Sequence, residues 1–197
     1  MHLCRSVVVV SGFFWAVSIA CLTSYPAQTF TEPGTAPGKR LSAKRVADLE
    51  KQMWALVNRN RLDPATFAET RGRAQPLKWN DKLAAVARTH SRKMIKQQFF
   101  NHIDPDGKTP SARINEAGIR WRAYGENIAM NDTVRGAQAA FMFEPRFQNN
   151  HRGNILNPIY TEVGIGIAQG PDGSLYITQD FVAVPANSRT SYSSLNK

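Results

Sequence analysis

The chain has 197 residues, 42% hydrophobic and 20% charged, with a formal net charge of +10. That apolar share excludes a chain too polar to collapse, and the length allows one domain with a sizeable core but not comfortably two. The two cysteines, Cys4 and Cys21, both lie at the start, which excludes a disulfide framework for everything after them.

Residues 1–27 read as a signal peptide. An apolar run over 7–22 follows Arg5, the segment's single formal charge, and is shorter than the roughly 20 residues that a membrane span needs. Cleavage after Ala27 is the first reading. The alternative is Ser18-Ile19-Ala20-Cys21, which resembles a lipobox and would make Cys21 a lipid-anchored N-terminus. Either way the protein is expected outside the cytoplasm, secreted, periplasmic or attached to the cell envelope. Without Arg5 a charge of +9 remains. Export argues against nucleic acid as its partner and for an anionic envelope surface.

Residues 28–40, rich in Pro, Gly and Thr, read as a linker to a domain over 41–185, and the polar stretch 186–197 as a disordered tail. Within the domain the apolar spacing predicts a first helix over 42–60, ended by Asp63-Pro64. A second helix is capped by Asn80 or Asp81 and runs to about Gln98. Its stripe is Leu83, Val86, Ala87, His90, Met94 and Ile95, with Lys82, Arg88, Arg92, Lys93 and Lys96 on the other side. His90 therefore reads as a hydrogen-bonded core residue. Thr109 caps a third helix with Pro110 first and Gly118 past its end. A fourth, capped by Asp132 or Thr133, runs through Phe141 to Glu144.

The period then changes. Val163, Ile165 and Ile167 alternate with glycines, residues 170–173 turn the chain, and Leu175, Ile177, Gln179 and Phe181 alternate with polar or smaller residues. This predicts a β-hairpin, hence an α+β domain with helices over the sheet. No glycine-rich phosphate loop follows a strand.

Four polar residues stand where a core has no use for them: His102, Glu126, Glu144 and His151. Their separations of 24, 18 and 7 residues match no local metal motif such as H-E-x-x-H. Asp104-Pro105-Asp106-Gly107 reads as a turn, because Thr109 and Asn115 occupy positions where a calcium loop needs a ligand and a glutamate. G-x-S-x-G is absent and no cysteine is available as nucleophile. Taken singly, each of the four could equally be a surface or packing residue.

Five ordered stretches carry a resemblance: WNDKLAAVARTHSRKM, FFNHIDPDGKTPSARINEAG, YGENIA, NNHRGNILNPIYTEVGIGIA and LYITQDF. Together they resemble the CAP superfamily, or SCP domain, in its bacterial form. The resemblance implies a three-layer α-β-α sandwich with a central antiparallel sheet. It also implies a cleft lined by two histidines and two acidic residues, which match His102, Glu126, Glu144 and His151, with Asn127 and Gln179 bracing it. Glu144, in Phe141-Met142-Phe143-Glu144, is closer to the W-x-x-E of eukaryotic relatives than to the bacterial pattern, and the loop over 145–150 is longer than the usual bacterial link.

The leading expectation is a monomeric extracellular binding module for a lipid, cell-wall or peptide ligand. Trp121, Tyr124, Phe141 and Phe143 could line an apolar groove beside the cleft. The alternatives are a metal-assisted hydrolase, with zinc on His102 and His151 and Glu126 or Glu144 as base, and an envelope protein adhering to anionic polymers through Arg88, Arg92, Lys93 and Lys96.

Overall fold

The computed structural model describes residues 40–146 and 149–185. The leader with its Cys21 alternative, the linker up to residue 39 and the tail over 186–197 lie outside the described residues.

Helix α1, Ala43–Leu62, starts where Ser42 accepts the Arg45 amide on its hydroxyl, and it buries Leu49, Met53 and Val57. Asp63 and Pro64 end it in a 3-10 turn, and the short helix α2, Phe67–Thr70, follows. A two-residue strand β1, Lys78–Trp79, leads into helix α3, Asp81–Lys96, whose cap is Asn80 accepting from the Leu83 amide at 3.0 Å. Helix α4, Pro110–Glu116, has Thr109 as cap, and Gly118 past its end takes φ of 68°. Strand β2, Ala123–Asn131, runs into helix α5, Val134–Phe143, capped by Thr133. Helix α6, His151–Leu156, precedes the hairpin of β3, Glu162–Gln169, and β4, Leu175–Ala183.

The strands form one sheet in the order β1-β3-β4-β2. The β3, β4 and β2 pairings are antiparallel, and β1 adds a parallel pairing of two residues, Lys78 to Glu162 and Trp79 to Val163. Helices α3 and α4 lie against one face and α1, α5 and α6 against the other, giving the three layers. The larger core fills the second side, where Val163, Ile165, Ile167, Ile177 and Phe181 meet Met53, Val57 and Phe141. On the first side α3 comes so close that a Cβ on Gly166 would sit 1.9 Å from the Arg88 amide nitrogen, and one on Gly164 2.2 Å from that of Ala84. Here the glycines exist for space and not for turn geometry.

Strand β2 and helix α6 are absent from the sequence reading. The alternating pattern that reveals a strand needs one face in water, whereas β2 is buried on both faces and carries Glu126, Asn127 and Asn131 inside. The same cause corrects β4: Asp180, on the face expected to be polar, is fully buried under α3.

Candidate functional site

The site begins with how the chain leaves α3. Gln98 takes φ of 54° and the Phe99 amide reaches back to the Met94 carbonyl at 3.1 Å, which turns the chain over the sheet. Phe99 packs edge-on against His90 at 5.8 Å between centroids, and Phe100 against Tyr176 at 6.3 Å. At the far end of the loop Gly107, at φ of 80°, donates to the Asp104 carbonyl at 2.8 Å, which closes the expected turn.

The Asp104 side chain is no bystander. It is buried, and its Oδ1 meets His90 Nδ1 at 2.9 Å and Arg113 at 3.1 Å, while Oδ2 accepts from Lys93 Nζ at 2.8 Å. His90 is thus the hydrogen-bonded core residue the helix stripe suggested, and burial first, then the nearby Arg113 charge, pushes its imidazole below the ordinary value. Arg113 holds the loop from inside. One of its nitrogens donates to the His102 carbonyl at 3.0 Å and the Lys108 carbonyl at 3.1 Å, and the other to Glu126 Oε2 at 2.5 Å.

Glu126 in turn carries His102, with Oε1 2.8 Å from Nδ1. The carboxylate is 2% exposed and the imidazole 39%. Burial works to raise Glu126, but the His102 hydrogen bond and the Arg113 charge outweigh it and hold the carboxyl below its ordinary value. A carboxylate accepts only, so Nδ1 is the donor in this pair, and the ring is left partly accessible.

Directly across the strand pairing from Glu126 stands Asp180. Among the described residues no nitrogen or hydroxyl donor reaches either of its oxygens, and burial, then the Glu126 charge and a hydrogen bond to that carboxylate, pushes its carboxyl well above the ordinary value. His90 Nε2 and Arg113 Nε are likewise buried without partners.

The second pair is built differently. Glu144 ends α5 and receives the start of α6: its Oε2 accepts the His151 amide at 2.8 Å and its Oε1 meets His151 Nδ1 at 2.5 Å. A carboxylate at a helix N-terminus is also where the helix dipole favours it. Phe141 lies against the His151 ring at 4.8 Å, and Arg152 ties the helix to Glu69 and to the Met142 carbonyl.

Asn127 joins the two pairs. Its Nδ2 donates to the His151 carbonyl at 3.1 Å and to Gln179 Oε1 at 3.0 Å, and its Oδ1 accepts from Asn154 at 2.9 Å. Gln179 continues to Gln138 at 2.9 Å and Gln138 to Asn60 at 2.8 Å. A file of amides, buried at Asn127, Gln138 and Gln179, thus runs from α1 through α5 and β4 to β2 and α6.

The four named residues therefore become two His–Glu pairs meeting at Glu126 and Asn127. They do not gather into one ligand set: among the described residues, no three His, Cys, Asp or Glu side chains are grouped so that they could hold a metal ion. Each Nδ1 is engaged by a carboxylate, which leaves Nε2 as the ring nitrogen that a metal ion would take.

The expected aromatic groove also divides. Phe141 is core, Trp121 and Tyr124 pack on each other at 4.9 Å, and Phe143 stands 94% exposed. Residues missed from sequence are Asp104, Arg113, Asp180 and Asn154. A usable signal was the glycine pair, since Gly164 and Gly166 share a sheet face with Thr178 and Asp180 and mark it as covered.

The sequence profile of the CAP family, described as the cysteine-rich secretory protein family, matches residues 54–181. The chain is similar to the uncharacterized protein YkwD of Bacillus subtilis, 33% identical over 109 residues, covering 55% of this chain and 40% of that protein. It is also similar to the uncharacterized membrane protein YlbC of the same organism, 25% identical over 169 residues, covering 83% and 46%. It thus spans less than half the length of either relative. Among solved structures, an extracellular SCP-domain protein of Bacillus anthracis superposes with a TM-score of 0.57 at 24% identity, covering 72% of this chain and 44% of that one. An outer surface protein of Borrelia burgdorferi gives 0.60 at 16% identity, covering 75% and 99%. These two likenesses are of fold. With the profile spanning most of the domain, and the helices and sheet in the matching arrangement, the chain belongs to the CAP family of cysteine-rich secretory proteins.

Proposed function

We propose that this protein is an extracellular binding module whose ligand is met by the outward edges of His102 and His151. The observation that carries the reading is the rigidity behind His102. Its Nδ1 is held by a buried carboxylate that Arg113 fixes in turn, while the ring itself remains accessible. A tip whose orientation is set in advance loses little freedom on binding.

Exposed apolar side chains flank both pairs, Ile103 beside His102 and Phe143 beside Glu144. A ligand with a polar group between apolar parts suits them, as in a lipid, a cell-wall fragment or a peptide. The placement of the solved SCP-domain relative outside the cell supports the same setting for this chain. A hydrolase remains the second reading, favoured by one feature: a carboxylate-oriented imidazole with a free Nε2 is also a competent general base.

Imidazole nitrogen NMR of the full chain, titrated separately with soluble muropeptides, a short-chain phospholipid and a mixed peptide pool, tests both. Saturable shifts at His102 and His151, reduced in Glu126→Gln, support the binding reading. Cleavage products by mass spectrometry in the same tubes favour catalysis. Binding that moves neither imidazole overturns the assignment of the ligand to this cleft.

A further inference from the structure

The cleft lies at the β2 border of the sheet, and β2 itself runs between the two His–Glu pairs. Glu126 shares the α3 face with Asp180 opposite and there meets His102, whereas Asn127 points to the other face and holds the His151 carbonyl. His102 and His151 thus flank one strand edge from opposite sides of the sheet.

Which main-chain groups that edge presents follows from its partners. The Tyr124 carbonyl accepts from the Tyr160 hydroxyl at 2.9 Å and the Glu126 carbonyl from Asn154 at 3.3 Å, and neither donor belongs to the sheet. In an antiparallel strand the N–H and C=O of one residue point the same way and alternate along the chain, so Ile128 and Met130 also turn theirs away from β4. Among the described residues no group bonds to them there. Ile128 is 7% exposed, and main-chain groups so nearly dry are costly without partners. Residues 127–131 also lack the lysine or proline that commonly blunts an edge. At the β3 border the outward Ile167 amide is taken: Glu50 Oε1 accepts it at 3.2 Å, and the buried Glu50 accepts two further bonds from Arg88 at 2.8 and 2.6 Å. With Arg88 so engaged and Lys93 held by Asp104 and Asp106, the basic face expected on α3 is reduced to Arg92 and Lys96.

We infer that the ligand of the cleft is an extended peptide segment, added to β2 as a further strand at Ile128 and Met130 and passing between His102 and His151. Each of the two β2 residues offers one donor and one acceptor, so main-chain bonds supply affinity and register. Successive side chains of an added strand point to opposite faces, alternately to the side of the exposed Ile103 and to that of the exposed Phe143. A lipid or a glycan has no regular file of N–H and C=O groups to match this edge. In running between the imidazoles, the peptide rests on the proposed role of the histidine cleft and gives that site its ligand class.

The test uses the full chain, isotope-labelled, with the blocked peptide acetyl-Thr-Val-Tyr-Val-Thr-amide as probe. Two comparison peptides carry a single N-methyl group, one on the tyrosine and one on the valine before it. In an added strand these two N–H groups point opposite ways, so only one of them faces β2. The variant Met130→Pro removes an outward N–H and no ladder bond, and circular dichroism checks its fold. The expected result is saturable shifts at the Ile128 and Met130 amides and at both imidazoles. One methylated peptide binds about tenfold or more weakly and the other as the parent does, and the variant binds the parent more weakly. Equal binding by the two methylated peptides, or no saturable binding of the parent, would overturn the added strand. Shifts at His102 and His151 with neither edge amide moved would overturn it too, and leave the cleft reading intact. Shifts at the edge amides with both imidazoles unmoved would instead sink the cleft reading and leave the strand pairing standing.

Discussion

Glu126 and Asp180 face each other across the β2–β4 pairing as unlike partners: one is an ionised carboxylate fixed by His102 and Arg113, the other a buried acid that no nitrogen or hydroxyl donor reaches among the described residues. Two adjacent buried carboxyls do not both ionise cheaply, and the position of Arg113 decides which one does.

Stability follows from that division. The native value of Asp180 lies well above 3.8, so above about pH 4 the native state keeps a proton that the unfolded chain has lost. This contribution therefore makes stability fall as pH rises, by up to about 1.4 kcal/mol per pH unit, until the native value is passed. Glu126 acts in the other direction: its value is depressed below 4.5, so its contribution is full above that and is lost as pH falls through the native value. Urea unfolding of Asp180→Asn between pH 4.5 and 8 is expected to show a gain over wild type that grows with pH. A constant difference across that range contradicts the assignment.

Close approach of α3 to β3 predicts an unusually costly methyl group. In Gly166→Ala the new Cβ meets backbone, the Arg88 amide nitrogen, which no side-chain rotation relieves. The expected loss is about 3 kcal/mol or more, at the upper end of overpacking effects. Equilibrium denaturation measures it, and the exposed-turn variant Gly107→Ala separates this cost from left-handed backbone strain, since nothing lies within 4 Å of its Cβ position.

Removing the Arg88 side chain leaves Glu50 charged and buried. Arg88→Met is expected to cost about 3–5 kcal/mol, the usual result of breaking a buried pair from one side. Adding Glu50→Gln recovers part of it, because the amide oxygen still accepts from Ile167. A double-mutant cycle by chemical denaturation gives the coupling.

Gln179→Leu interrupts the amide file in its middle, leaving Asn127 and Gln138 each short of one partner. About 1–3 kcal/mol is expected for each stranded buried group. Hydrogen exchange at the amides of α6 is expected to quicken as well, since Asn127 holds the His151 carbonyl.

Helices α1, α3, α4 and α5 and the β3–β4 hairpin were readable because caps, stops and periodicity are local. Thr109 caps the helix expected of it, and of the alternatives Asn80 or Asp81 and Asp132 or Thr133 the caps are Asn80 and Thr133. The His–Glu pairs were nameable through motif resemblance, but their construction was not. Arg113 lies in a seven-residue helix with no visible reason to be buried, and Asp104 in a turn whose composition suggests water. Their roles arise only when residues far apart in sequence share one desolvated space. Burial of both sheet faces also hid β2, because it removes the polar alternation by which a strand is recognised.

The Glu50 carboxylate reaching the Ile167 amide has a consequence beyond its own stability. It occupies a main-chain donor on the side of β3 that β1 leaves uncovered, where an extended segment of another molecule would otherwise add itself. After Cys21 this chain has no cysteine to fasten its sheet by covalent bonds. A single buried side chain, held in place by Arg88, thus takes the bond that an added strand would need at this position.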